Sequence, residues 1–491
     1  MKIAIAGGGI GGLISALMLR KKGYEVSLYE KRDRLGGRLA FTEEQGYRID
    51  EGPTIVLLPE MLTSILNEAG ISRDQYELIN INPLYKLHFK DGSSYTKYNS
   101  IERQIQEIKE NFPGNEEGFV QFMKDMEIRF NLGKDQFLEK SFHDKRTFWT
   151  RNNLKTLMHL KAYKSVNNSL KAYFQDERVR QAYSLQTLYI GGNPLDSPAL
   201  YSLISFSEHK HGIYYLKGGY ASLVTVLENA LLNSGVKVMK NATVERVVTE
   251  GEQAAALIVN GEEVKADAFV LNGDFPGASK MIPKESMPAR NYTASSSCVL
   301  LYFGLDKVYR DSSVHQFFMG SNFQQHMKEI FETKEVPSDP SIYAFHPSVI
   351  DSSLAPEGHG VLYALVPVPS GSSINWGEQE GFVEKVIDQL EERGFPGLRK
   401  SIQWKKVRTP DDKEMEGLFQ GGSFGIAPTL FQSGVFRPQV KPSKLTNVYA
   451  AGASIHPGGG VPIVMQGAKL MVSAILSDHQ NKEREGVSLS G

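Results

Sequence analysis

Three glycines near the N-terminus are spaced as in a loop that holds a phosphate. Gly7, Gly9 and Gly12 form a GxGxxG pattern, and they directly follow a short apolar run typical of a buried strand, residues 2–6. The first glycine permits a tight turn, the second lets the backbone approach a pyrophosphate, and the third lets a helix pack on the strand. A helix that begins here presents unpaired N–H groups to the phosphates. The pattern predicts a dinucleotide-binding site.

An acidic side chain follows where such a site contacts a ribose. A second β-rich run, residues 25–29, ends at Glu30, whose carboxylate can accept hydrogen bonds from both ribose hydroxyls and disfavours a 2′-phosphate. A GxGxxG pattern alone is also compatible with a simple glycine-rich turn. Here strand, glycines, helix, strand and acid occur in order, which favours the dinucleotide site.

The residues after Glu30 favour FAD over NAD. An RxGGR pattern at residues 34–38 offers a second close approach of backbone and a guanidinium, which suits the diphosphate of an extended FAD. Taken alone, this segment could also be a solvent-exposed hairpin turn. A compact turn at residues 52–54 precedes another apolar stretch. We expect FAD contacts from Lys31, Gly37, Arg38, Gly52, Pro53 and Thr54.

The C-terminal segment has a second strand, glycine-rich turn and helix. An apolar run at residues 448–451 predicts a buried strand that ends at Gly452, and the Pro-Gly-Gly-Gly run at 457–460 predicts the start of a helix. The N-terminus of such a helix would stabilise an anionic reduced flavin. No cysteine is available there for a covalent link, so we expect FAD to be held noncovalently. The expected contacts in this segment are Gly452, Gly460, Val461 and Pro462.

Together these motifs resemble the amine oxidase and phytoene desaturase superfamily of flavoproteins. Residues 447–476 are similar to the C-terminal signature of bacterial carotenoid (phytoene-type) desaturases, particularly the dehydrosqualene (4,4′-diapophytoene) desaturases. Further matching stretches are 52–60, 185–194, 214–220 and 424–439. The resemblance implies an α/β fold with a Rossmann-like FAD-binding domain, an inserted α+β substrate domain and a helical membrane-facing part. It also implies that the backbone near Val244 contacts the adenine.

The resemblance implies an FAD-dependent desaturase acting on CH–CH groups. Its substrate would be an acyclic carotenoid precursor such as 4,4′-diapophytoene, an apolar polyene, with hydride transfer to flavin and reoxidation by oxygen or a quinone. Ile455 and Gly459 depart from the desaturase pattern, and the glycine run is also similar to carotenoid oxygenases. Oxidation of terminal methyl groups is therefore the alternative, and a non-enzymatic isoprenoid escort is a third. No catalytic side chain is assigned.

The positions of the FAD motifs predict a discontinuous domain. They lie at both ends of a 491-residue chain, which is long enough for two or three domains. We expect the FAD-binding domain to comprise residues 1–105, 206–274 and 441–491. Residues 106–205 would form a helical, basic insert, and residues 275–440 a substrate-binding domain.

A basic segment between residues 145 and 171 predicts contact with a membrane. It contains seven Lys and Arg, no Asp or Glu, and interleaved aromatic and leucine side chains. This composition suits a helix lying on an anionic membrane surface, although a soluble helix with a solvated charged face is the alternative. Because a long hydrocarbon dissolves in the bilayer, we favour membrane contact. No run approaches the roughly 20 apolar residues that span a bilayer.

Composition limits the remaining functions. The chain has 55 Lys and Arg against 56 Asp and Glu, so no basic excess indicates a nucleic-acid partner. The single cysteine, Cys298, cannot form an internal disulfide, which favours a reducing compartment. We expect a cytoplasmic protein peripherally associated with the cytoplasmic membrane. His209 and His211 would face one side of a predicted strand, but no third ligand lies nearby, so no metal is expected.

Overall fold

A computed structural model of the protein describes residues 1–142, 145–371 and 373–488. The end of the predicted FAD-binding domain, residues 489–491, lies outside the described residues, as do 143, 144 and 372 within the predicted inserts. The described strands are β1 Lys2–Ala6, β2 Glu25–Tyr29, β3 Phe41–Glu44, β4 Tyr47–Asp50, β5 Leu78–Ile81, β6 Tyr85–His88, β7 Ser94–Lys97, β8 Ile213–Leu216, β9 Lys237–Met239, β10 Val244–Glu250, β11 Gln253–Val259, β12 Glu262–Lys265, β13 Ala268–Leu271, β14 Ser297–Leu305, β15 His315–Phe318, β16 Ile342–Phe345, β17 Gly360–Val368, β18 Ile402–Arg408 and β19 Val448–Ala450.

The α-helices pack on one face of the parallel sheet and on both faces of the second large sheet. Several short 3-10 and π-helical turns connect them. The described α-helices are α1 Ile10–Lys21, α2 Pro59–Ala69, α3 Ile101–Asn111, α4 Glu116–Gly133, α5 Arg151–His159, α6 Val166–Leu170, α7 Glu177–Ser184, α8 Ser202–His211, α9 Gly219–Ser234, α10 Phe275–Ala278, α11 Phe323–Lys328, α12 Glu380–Arg393, α13 Leu398–Ser401, α14 Pro410–Met415 and α15 Val461–Ser488.

The first sheet is parallel and carries the N-terminal glycine loop. Its strand order is β19-β13-β1-β2-β9, with β1 in the middle. Ile3 and Ile5 of β1 pack on the side of α1, α9 and α15, whereas Ala4 and Ala6 pack on the side of the small sheet β10-β11-β12. Because both faces are covered, every strand near the centre is apolar, as expected for a buried parallel sheet. The predicted Rossmann-like α/β arrangement is confirmed.

The C-terminal helix α15 belongs to the core of this domain. By length and composition alone, its portion Val461–Asn481 could cross a membrane, which differs from the expectation that no run approaches that length. More than half of this portion is buried, and its Met465, Ala468 and Met471 pack in the same cluster as α1. A mostly buried core helix meets the same length criterion as a membrane span.

The second sheet has seven strands in the order β18-β14-β17-β16-β15-β6-β7 and forms the wall opposite the flavin motifs. All its pairs are antiparallel except β15 with β6. Side chains of β14 alternate, so that Val299 and Leu301 pack against α12, while Cys298 and Leu300 face the other side. This second face lines the site described below.

Two strands that the prediction assigns to the FAD-binding domain, which was expected to extend to residue 105, belong to the second sheet instead. β6 and β7 fall within the predicted FAD-binding segment 1–105, yet β6 pairs with β15 and both extend the second sheet. The prediction is wrong there, because strand pairing across more than 200 residues leaves no local trace in composition. Residues 106–205 are helical in their described part, as predicted.

Candidate flavin and substrate site

A cavity of about 1010 Å³ is lined by both large sheets and by the helical segment between them. It brings together residues that the sequence places at opposite ends of the chain. Of the predicted cofactor contacts, all but Gly12 line it: Gly7, Gly9, Glu30, Lys31, Gly37, Arg38, Gly52, Pro53, Thr54, Val244, Gly452, Gly460, Val461 and Pro462. Their roles in binding FAD remain predictions, but the convergence on one cavity is what those roles require.

Gly12 has the packing role that the sequence predicts. A Cβ placed on Gly12 would lie 2.2 Å from the carbonyl oxygen of Gly7, so any side chain would push α1 away from β1. Asn272 fixes the same loop from the end of β13, because its Nδ2 donates to the carbonyl oxygens of Gly7 (3.0 Å) and Gly9 (3.3 Å). The close packing at Gly12 and the hydrogen bonds from Asn272 therefore both fix the conformation of the glycine loop.

Glu30 is buried at the carboxyl end of β2. Its Oε2 accepts a hydrogen bond from the N–H of Gly8 (2.7 Å), and its Oε1 accepts one from the N–H of Arg32 (3.0 Å). The carboxylate thus joins the glycine loop to the segment that carries the second glycine motif. A carboxylate held in this way can accept further hydrogen bonds from ribose hydroxyls with little reorganisation.

The two glycine motifs meet at their backbones. The N–H of Gly36 donates to the carbonyl oxygen of Gly8 (2.8 Å), and Gly37 has a φ of 57°. A Cβ on Gly37 would lie 3.0 Å from Cα of Gly9. Because these glycines have no side chains, the space between the two motifs stays free. A diphosphate that the backbone approaches closely would fit there.

Arg38 is positioned by an acid that the sequence analysis missed. An Nη of Arg38 lies 3.3 Å from Oδ1 of Asp274. The same Oδ1 accepts a hydrogen bond from Ser454 Oγ (2.6 Å), and Oδ2 of Asp274 accepts one from the N–H of Phe419 (2.8 Å). Asn272 and Asp274 both follow β13 at its carboxyl end, where ligands of open α/β sheets bind. That position is the signal that could have identified them.

The turn at residues 52–54 is tied to the second sheet. Thr54 Oγ1 lies 2.6 Å from the hydroxyl of Tyr343 on β16. The neighbouring Glu51 accepts hydrogen bonds from Lys406 (2.9 Å) and Arg408 (2.7 Å) of β18. Burial raises the pKa of Glu51, but the hydrogen bonds and positive charges of these residues outweigh it and lower the pKa to about 2. The turn therefore carries an ionised carboxylate.

The C-terminal contacts lie on a turn between β19 and α15. Gly452 and Gly460 have φ values of 130° and 101°, which residues other than glycine rarely adopt. His456 of this turn and Arg437, which precedes β19, are both buried and line the cavity. Arg437 Nε and His456 Nδ1 have no hydrogen-bond partner among the described residues. Open backbone and unsatisfied buried polar atoms at this turn fit a polar ring system such as a flavin.

The remainder of the cavity is mostly apolar and reaches the helical segment. It offers no pattern of charges that would bind a polar substrate along its length, and it is a slot suited to a hydrocarbon. Aromatic and aliphatic side chains dominate this part of the lining, among them Phe130, Phe137, Phe148, Leu157, Leu188, Leu300, Phe317 and Met319.

The two histidines considered as metal ligands lie on α8 and not on a strand. Residues two apart on a helix face different sides, so the expected common face is wrong. His209 is buried and contacts the hydroxyl of Tyr183 (3.0 Å) and the carbonyl oxygen of Tyr98 (2.7 Å), and burial lowers its pKa well below the usual value. Within the described part of the chain, no group of three potential ligands could hold a metal ion.

The family of flavin containing amine oxidoreductases matches residues 10–476, and the chain belongs to this family. The protein is accordingly an FAD-dependent oxidoreductase, and the site residues fit that cofactor. Over 491 residues, all of both chains, it is 99% identical to a 4,4′-diapolycopen-4-al dehydrogenase of Metabacillus indicus. It is 33% identical to a 4,4′-diapophytoene desaturase (4,4′-diaponeurosporene-forming) of Staphylococcus haemolyticus, over 97% of this chain and 99% of that protein.

A solved structure supports the fold. An oxidoreductase from Methanosarcina mazei has a TM-score of 0.65 and 16% identity, covering 96% of this chain and 99% of the other. The predicted resemblance to carotenoid desaturases and the predicted cofactor are confirmed. The chain is a member of the carotenoid desaturase and dehydrogenase group of flavoproteins.

Proposed function

We propose that the protein oxidises the aldehyde end of an acyclic C30 carotenoid to a carboxylic acid, with FAD as the oxidant. Near identity to a diapolycopen-4-al dehydrogenase over the whole chain supports this reaction. It corresponds to the terminal-oxidation alternative of the sequence analysis and not to its favoured desaturation. A specific feature of the cavity supports terminal oxidation over desaturation.

The feature that carries the proposal is a pair of buried basic side chains that line a mostly apolar cavity. Lys413 and Arg408 both line the cavity, and both are less than a tenth exposed. Arg408 is paired with Glu51 and Glu416, whereas the hydrogen-bond partners of Lys413 among the described residues are atoms of Cys298. A pure hydrocarbon would offer the buried donors of Lys413 no further acceptor. An aldehyde oxygen, or the carboxylate that the reaction produces, can accept hydrogen bonds from them.

Different residues of the chain bind the polyene and hold the cofactor side of the cavity in position. The aromatic and aliphatic lining binds the polyene by removing apolar surface from water, at roughly 25 cal/mol per Å². The tied turn at Gly52–Thr54 and the glycine-rich turn at Gly452–Gly460 hold the cofactor side of the cavity in place. When bound, FAD supplies a two-electron oxidant that accepts hydride.

Desaturation remains the second candidate, because a relative that is 33% identical over nearly the whole chain is named as a desaturase. The two reactions are separated by their products. The purified full-length flavoprotein would be incubated anaerobically in liposomes with either 4,4′-diapolycopen-4-al or 4,4′-diapophytoene. Flavin bleaching and a gain of one oxygen atom with the aldehyde support our proposal. Bleaching only with the hydrocarbon, with loss of hydrogen, would assign desaturation.

We further propose that residues 145–171 dock on the cytoplasmic membrane, from which the polyene enters and where a quinone or oxygen can reoxidise the flavin. Trp149 and Met158, 52% and 63% exposed, project large apolar surfaces beside the exposed bases Arg151 and Lys155. Leu157 of the same helix lines the cavity. Exposed apolar side chains rimmed by cations at a cavity mouth suit an anionic lipid surface.

A further inference from the structure

The single cysteine of the chain lies in a buried polar cluster with a lysine and a serine. Sγ of Cys298 lies 3.0 Å from Nζ of Lys413 and 3.1 Å from Oγ of Ser423. Lys413 also donates to the carbonyl oxygen of Cys298. Cys298 and Lys413 are buried and Ser423 is half-buried, and all three line the cavity, so a molecule inside the slot can contact them.

The cluster lies between the two turns assigned to the flavin. On one side, Arg408 acts electrostatically on Lys413 and donates to Glu51, which precedes the turn at residues 52–54. On the other side, the segment that carries Ser423 is bound to the C-terminal turn, because the N–H of Ile426 donates to Ser454 Oγ (3.2 Å). The cluster is therefore connected to both turns that are assigned to the flavin.

Lys413 is unusual for a structural lysine. Among the side chains that the structure describes, no carboxylate forms an ion pair with it, and its hydrogen-bond partners are atoms of Cys298. Burial lowers its pKa, against the smaller opposing effects of Cys298 and Glu416, and the charge of Arg408 lowers it further. A nucleophile within hydrogen-bond reach of an amine that can take its proton is the arrangement used in covalent catalysis.

We propose that Cys298 is the nucleophile that captures the aldehyde, with Lys413 as its proton acceptor and donor. This inference rests on the proposed function. The thiol sulfur adds to the aldehyde carbon as the C=O double bond opens, and the thiol proton passes through Lys413 to the oxygen. The product of this step is a hemithioacetal, in which the former aldehyde carbon bears sulfur, hydroxyl and one hydrogen.

The remaining steps balance with the oxidant that the family supplies. When bound, FAD would supply the two-electron oxidant that takes a hydride from the hemithioacetal carbon, while Lys413 accepts the proton of its hydroxyl and a thioester is left on Cys298. Water then adds to the thioester carbonyl, the carbon–sulfur bond breaks, and the acid leaves while the thiol regains its proton. Direct attack of water on the aldehyde is the alternative, and it forms no bond to the protein.

The first test traps the bond in the unmodified flavoenzyme. The full-length oxidised protein would be mixed anaerobically with 4,4′-diapolycopen-4-al, quenched in acid during a single turnover, and digested for mass spectrometry. We expect a polyenoyl adduct on the peptide that contains Cys298, and hydroxylamine should release it as the hydroxamate. Because the chain has one cysteine, the assignment is unambiguous. The hydrocarbon 4,4′-diapolycopene, which has no carbonyl group, serves as the matched control and should give no adduct.

A second measurement needs no oxidation. With the flavin photoreduced under argon, the hemithioacetal can form but cannot be oxidised, so loss of the conjugated carbonyl should shift the polyene absorption to shorter wavelength. Cys298→Ala should abolish the shift and the adduct and lower acid formation at least about 100-fold, and Lys413→Met should lower it by a similar factor. Flavin absorption checks that each variant retains its fold. Cys298→Ser, which replaces the thiol by a hydroxyl of similar size and much lower nucleophilicity, should also abolish the adduct.

The outcomes separate the two levels of the proposal. If the unmodified enzyme makes the acid but shows neither adduct nor shift, or if Cys298→Ala makes acid at the original rate, the nucleophile assignment is wrong and the proposed function stands. If the unmodified enzyme makes no acid from the aldehyde, the proposed function fails and the assignment with it. Acid formation together with an adduct that disappears in Cys298→Ala supports both.

Discussion

Glu30 is the residue on which the cofactor loop depends most directly. Its two carboxylate oxygens accept hydrogen bonds from the N–H groups of Gly8 and Arg32, which lie on the two segments that meet at the cofactor side of the cavity. Hydrogen bonds to a charged group contribute about 1.5–3 kcal/mol each, more than those between neutral groups. The carboxylate therefore both shapes the loop and offers acceptors to a ribose.

We expect Glu30→Ala to weaken FAD binding by roughly 10- to 100-fold, the equivalent of one charge-assisted hydrogen bond. Glu30→Gln, which keeps one carbonyl acceptor, should lose less. The dissociation constant of FAD, measured by the change in flavin fluorescence on titration of the stripped protein, provides the check. Equal affinities for all three proteins would mean that the carboxylate does not contact the bound cofactor and only packs in the loop.

Gly12 tests whether the loop geometry itself is required. In Gly12→Ala the new methyl group would meet the carbonyl oxygen of Gly7, which must move, so we expect lower thermal stability and a lower ratio of flavin to protein absorbance. Gly381→Ala is the matched control, since Gly381 lies in α12 and has no atom within 4 Å of an added Cβ. This control should retain flavin fully and gain slightly in stability, because alanine is the better helix former. Full flavin content in Gly12→Ala would show that the loop tolerates displacement.

At the residue scale, a functional residue could be predicted where its whole motif lies within one short stretch of sequence. Gly7, Gly9 and Glu30 were identifiable because turn, helix and strand surround them within 30 residues. Cys298 and Lys413 were not identified as a pair, since they are 115 positions apart and only the pairing of β14 with its neighbours brings them together. A lone cysteine in a sequence carries no information about its neighbours in space.

At the scale of elements, α5 and its flanking residues decide how the polyene reaches the cavity. Leu154 and Met158 of α5 are one helical turn apart and both exposed, so they share one face. We expect the double substitution Leu154→Glu and Met158→Glu to lower binding to anionic liposomes at least about tenfold, because two apolar contacts are lost and two negative charges are added. Co-sedimentation with vesicles of anionic phospholipid measures this binding.

The matched control for this experiment is Leu232→Glu. Leu232 is an exposed leucine of similar accessibility, 60%, but it lies on α9 outside the basic segment. It should leave liposome binding unchanged, and flavin absorption should be unchanged in both variants. If Leu232→Glu releases the protein from vesicles as effectively as the double substitution, net charge and not the α5 face controls the association, and the docking proposal is wrong.

The elements that the sequence predicted well are those with a complete local pattern. The predicted strands 2–6 and 25–29 coincide with β1 and β2, because a glycine-rich turn and a helix separate them within one short stretch of sequence. β6 and β7 have equally clear turns, but they belong to the second sheet because β6 pairs with β15, which lies far along the chain. His209 and His211 were placed on a strand because the mixed polar and aromatic run around them lacks a clear helical period, whereas tertiary packing makes it α8.

At the scale of the whole molecule, Glu51 links the two-stranded sheet β3–β4 and the cofactor turn at residues 52–54 to the seven-stranded sheet. It follows β4 on the cofactor side and accepts hydrogen bonds from Lys406 and Arg408 of β18 in the second sheet. The hydroxyl of Tyr302 on β14 donates to its backbone carbonyl oxygen (2.8 Å). Since the cavity lies between these parts, the same contacts that hold the sheets together fix its width.

Glu51→Gln should reveal this link through its dependence on pH. The pKa of Glu51 is about 2 in the folded protein and near 4.5 when unfolded, so the folded state favours the carboxylate. Its stabilisation is complete above pH 4.5 and is lost as the pH falls towards 2. We expect the variant to lose about 3 kcal/mol of unfolding free energy at pH 7, the size of a broken buried ion pair, and progressively less below pH 4.5.

Urea titrations of both proteins at pH 7, 5 and 3.5, with FAD at saturation, measure the difference in unfolding free energy at each pH. Glu44→Gln, at an exposed position on β3, controls for the loss of one surface charge and should differ little from the unmodified protein at any pH. The difference for Glu51→Gln must shrink at pH 3.5, because the unfolded chain binds a proton at Glu51 there while the folded carboxylate stays ionised on Lys406 and Arg408. A difference that stays constant across this range would mean that Glu51 joins the sheets through hydrogen bonds that a neutral amide cannot replace, and that its charge contributes nothing to holding them together.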